Sequence, residues 1–100
     1  MMNDELLAGE RALAFGMTDE AERHYRLAAA ADPTSSFAVL GLASVALERG
    51  DQAGALALAR QALALEPANE SASRLVTRME EVLHYRDATR SDSPKGARNP

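Results

Sequence analysis

Apolar residues recur at helical spacing in five blocks of this chain, separated by short polar, glycine or proline breaks. The first block predicts a helix from about Asn3 to Phe15, ended by Gly16, which can take the left-handed conformation just past a helix. Thr18 or Asp19 caps a second helix, with Glu20 and Glu22 favourably placed in its first turn. It runs to about Ala31, where Asp32-Pro33 stops it, because the residue before a proline is pushed away from helical geometry. Ser35 or Ser36 caps a third helix ending at Arg49-Gly50, and Asp51 opens a fourth that closes at Glu66-Pro67. Asn69 caps a fifth, running to about Tyr85 or Arg86, with Leu75, Met79, Val82 and Leu83 as one apolar stripe. Residues 87–100, rich in Ser, Asp, Pro and Gly and without periodicity, are expected to form a disordered tail. The breaks are so short that consecutive helices must pack antiparallel. The pattern therefore predicts an all-α fold of two helical hairpins and a final helix.

The blocks also repeat. Leu6, Ala12, Leu13, Gly16, Ala21, Arg26, Ala28 and Pro33 return 34 residues later as Leu40, Ala46, Leu47, Gly50, Ala55, Arg60, Ala62 and Pro67. A period of this size marks stacked units, each burying its apolar face against the next. Such stacks bind through an extended surface rather than one catalytic cleft. Ala21 and Ala28 share a helical face, as do Ala55 and Ala62, and so small a side chain lets two backbones approach closely.

These positions resemble the tetratricopeptide repeat family. The second unit, 36–69, carries Leu42-Ala43, Gly50-Asp51, Ala55 and Ala62-Leu63-x-Leu65-x-Pro67. The first, 2–35, carries Ala8-Gly9, Gly16, Ala21, Tyr25, Ala28 and Asp32-Pro33. Glu5 and Val39 stand where the family prefers a bulky residue, and Ala46 and Ala59 replace its usual aromatics, so the second unit should be thinly packed. The resemblance implies a short α-solenoid: a single domain over 2–86, with 70–86 as a capping helix. It also implies a concave groove lined by the first helix of each unit. Carried onto this chain, the groove positions are Asn3, Leu6, Glu10 and Leu13, then Phe37, Leu40, Ser44 and Leu47.

The third helix points the same way independently. Val39, Leu42, Ala43 and Ala46 make one apolar stripe, yet Phe37, Leu40 and Leu47 make the opposite side apolar too. A helix apolar all round is either buried on all sides or carries an interface, and both readings stay open here.

Composition narrows the function further. The 100 residues contain no cysteine, which excludes disulfides and thiolate metal sites, and no apolar run long enough to span a bilayer. Residues 1–86 carry eight Arg against thirteen Asp and Glu, a net charge of −5 that repels phosphate backbones and argues against nucleic acid as partner. The acidic start, Met1-Met2-Asn3-Asp4-Glu5, is unlike a secretory signal, so a cytoplasmic protein is expected. Ten Arg against one Lys, with abundant Ala, suits a GC-rich bacterial genome.

Catalytic chemistry finds little to work with. Glu20-x-x-x-His24 and Glu80-x-x-x-His84 each set a carboxylate one turn before an imidazole, but a metal needs more than two ligands and such pairs are frequent on solvated faces. No nucleophile has a base at a recognisable spacing, and no glycine-rich loop opens a helix after a strand. Gly41 and Gly54, isolated within helices, read as close-packing positions. Arg74, Arg78, Arg86 and Arg90 form a possible basic strip, though Glu70 and Glu81 stand near enough for local ion pairs. The expectation is a non-catalytic module, with no cofactor, metal or small-molecule substrate, that takes a partner protein or peptide in the groove as adaptor, scaffold or chaperone. The alternative is a self-associating structural protein, a homodimer through its end helices.

Overall fold

The computed structural model describes the backbone of residues 4–98 and the side chains of residues 4–88. Five helices follow one another: α1 (Asp4–Ala14), α2 (Thr18–Ala31), α3 (Ser36–Glu48), α4 (Gln52–Leu65) and α5 (Glu70–Arg98), with no strand among the described residues. α1 pairs with α2 and α3 with α4 as antiparallel hairpins. α2 and α1 both pack on α3, and α4 packs on α5, so the hairpins stand side by side. The helical backbone of α5 continues past the end expected near Tyr85 or Arg86. The stretch assigned to a disordered tail, 87–100, lies beyond Ala88 outside the residues whose side chains are described.

The 34-residue step is carried by the backbone as well as by the sequence. Gly16 and Gly50 turn each hairpin with φ of 76° and 80°, a region that only glycine enters without cost. The Met17 amide donates to the Ala12 carbonyl at 2.9 Å, and the Asp51 amide to the Ala46 carbonyl at 2.9 Å. Asp32 and Glu66 close α2 and α4 in the same extended conformation, with φ, ψ of −142°, 91° and −144°, 93°. Ser35 accepts from the Ala38 amide at the start of α3, and Asn69 accepts from the Ala72 amide at the start of α5. By this register α5 occupies the place of a third unit's first helix. One cap departs from expectation: Met17, not Thr18 or Asp19, is the residue before α2, and it makes no side-chain cap bond. Its counterpart Asp51 does cap α4, accepting from the Gly54 amide at 2.8 Å. Gly54 leaves room for that carboxylate, since a Cβ there would stand 2.2 Å from Asp51 Oδ2.

Tyr25 holds the first joint together. Its ring is buried at 3% exposure between the backbones of α1 and α3. A Cβ on Gly9 would meet the ring at 2.9 Å and one on Gly41 at 2.3 Å, so both glycines exist to admit it. The second joint reverses the sizes. Thirty-four residues on, Tyr25 becomes Ala59, Gly9 becomes Ala43, and Gly41 becomes Leu75. Ala43, Ala59 and Leu75 lie together in one buried cluster with Val76 and Met79. A large side chain from α2 fits a glycine of α3; a large side chain from α5 fits an alanine of α4. Close packing therefore survives the loss of the aromatic, as interiors require.

Burial, helped by the nearby Glu10 carboxylate, pushes the Tyr25 phenol up to about 12. An unfolded chain loses that proton near pH 10. Between roughly pH 10 and 12 the unfolded state therefore binds fewer protons, and stability should fall as pH rises, by about 2–3 kcal/mol in all. Denaturant titrations at pH 9 and pH 11.5 check this, and the loss should be absent from Tyr25→Phe.

A polar knot locks α5 onto the second hairpin. Ser36 donates to Glu66 at 2.5 Å, Asn69 Nδ2 donates to Ser36 Oγ at 3.0 Å, and Asn69 Oδ1 accepts the Ala72 amide at 3.1 Å. Both Ser36 and Asn69 are buried. Asn69→Ala removes the cap and one partner of Ser36, at an expected cost of about 2 kcal/mol. Asn69→Asp keeps the capping oxygen but not the donor, and should cost less. Urea unfolding of the two variants measures the difference.

Candidate partner-binding groove

An open groove of about 630 Å³ runs between α3 and α5. Leu40, Ser44 and Leu47 line it from α3; Ser71, Arg74, Leu75, Arg78 and Glu81 are among its liners from α5. α3 presents these residues because its other face is taken up by the core: Ala38, Val39, Ala43 and Val45 are all buried. Leu40 and Leu47 are half-buried, packed on the cluster that holds Leu75, so the floor is apolar and continuous. Ser44 turns its hydroxyl back to the Leu40 carbonyl at 3.3 Å, leaving a smooth step between the two leucines.

The α5 wall supplies groove residues beyond those expected from the first helix of each unit. Arg74, Arg78 and Glu81 stand one 34-residue step beyond Leu40, Ser44 and Leu47, and Ser71 stands one step beyond Phe37. Stopping at the second unit hid them; carrying the register one helix further finds them. Arg74 pairs with Glu70 at 3.5 Å on an exposed surface. The expected Arg78–Glu81 pair is not formed, and neither side chain has another partner among the described residues.

The other expected groove residues divide. Phe37 is 51% exposed at the α3 end of the site without being among the groove's liners. Leu6, at 8% exposure, is a core residue in a cluster with Ala12, Ala21, Tyr25 and Ala28, and Leu13 packs against that cluster. Glu10 is exposed on α1, close enough to act on Tyr25. Asn3 lies outside the described residues. The structure thus brings Leu40, Ser44 and Leu47 together, and leaves Leu6, Glu10 and Leu13 with the first hairpin.

The acid–histidine spacings are used otherwise. His24 Nδ1 meets Glu5 Oε2 at 2.6 Å across the first hairpin, while Glu20 pairs with Arg23 at 3.3 Å. Glu80 reaches Arg60 of α4 at 2.8 Å, and His84 is exposed. Among the described residues, no three His, Cys, Asp or Glu side chains gather as a metal-holding group. Nor is any helix among them long and apolar enough to cross a membrane. No family model matches this chain, and no curated protein matches it either.

Proposed function

We propose that this chain is a cytoplasmic, non-catalytic binding module of the tetratricopeptide kind, which holds a segment of another protein in the groove between α3 and α5. The observation that carries the reading is the convergence of Leu40, Ser44 and Leu47 with their 34-step equivalents on one open groove. The act of binding is physical: an apolar stripe of the partner covers the leucine floor and leaves water. Fully burying a leucine is worth roughly 1.5–3 kcal/mol, and the floor residues are already half covered. Set against an association cost on the order of 4–15 kcal/mol, so small a gain makes for a weak, transient complex. An adaptor, scaffold or chaperone works through complexes of that kind.

A displayed library of random 16-residue peptides, selected on the folded protein, tests the reading. Ser44→Trp fills the groove from its middle and should weaken the selected peptides at least tenfold, with helicity and unfolding midpoint unchanged. Equal binding to Ser44→Trp would contradict a groove site. Sedimentation separates the self-associating alternative: the binding module should stay monomeric from micromolar to high micromolar concentration.

A further inference from the structure

We draw no further inference here: the strongest candidate, the exposed apolar patch of Phe15 and Met17 at the turn between α1 and α2, carries nothing because nothing in the structure shows what covers it.

Discussion

Tyr25→Ala should lower the unfolding free energy by about 3–5 kcal/mol, most of what a domain of this size possesses. The ring is the one aromatic in the first core, and it touches both neighbouring helix backbones through Gly9 and Gly41. Removing it opens a cavity that α1 and α3 cannot close, because each is held by its own hairpin. The second joint supplies a remedy. Adding Gly41→Leu to Tyr25→Ala copies the Ala59 and Leu75 arrangement one unit earlier. Gly41→Leu alone should destabilise by several kcal/mol, since its Cβ would stand 2.3 Å from a ring that has nowhere to go. The double variant should be more stable than the sum of the single losses by about 1–3 kcal/mol. Urea unfolding of the four proteins measures the coupling; strict additivity would mean the two joints are not interchangeable.

Leu75→Ala should cost about 2–5 kcal/mol, for a reason that joins stability to function. Leu75 is buried with Ala43, Ala59, Val76 and Met79, and is also part of the groove floor. The alanines around it cannot fill the space, so the cavity persists. α5 would loosen at its centre while the Asn69 knot still held its start. Peptide binding should then fall by more than unfolding alone explains, since one of the two groove walls has lost its seat. Leu75→Met, near in volume, should retain most of both. Thermal unfolding and peptide titration on the same samples distinguish the two losses.

The helix boundaries from α1 to the start of α5 are legible because their causes are local: Gly16 and Gly50 at the turns, Asp32-Pro33 and Glu66-Pro67 at the stops, Ser35, Asp51 and Asn69 as caps. The end of α5 carries no such signal and lies beyond the expected Tyr85 or Arg86. Met17 escaped because Thr18 and Asp19 are better caps by type, yet the repeated turn places Met17 one residue before the helix. The α3 half of the groove could be read from the surplus of apolar residues around that helix. Its α5 half could have been found by one more step of the same register. The remaining misses are contacts between residues far apart in the chain. Nothing near His24 in sequence announces Glu5, and nothing near Gly41 announces the Tyr25 ring. Leu6 and Leu40 occupy equivalent positions, but one is core and the other lines a groove, because α1 packs directly on α3 whereas the space between α3 and α5 stays open.

The most direct test is an amide NMR titration with a peptide selected on the wild-type protein. Shifts confined to Leu40, Ser44, Leu47, Arg74, Leu75 and Arg78 are predicted, with the α2 face around Arg23 and Leu27 unmoved. Shifts centred on α2, or spread evenly over the chain, would contradict a binding surface between α3 and α5.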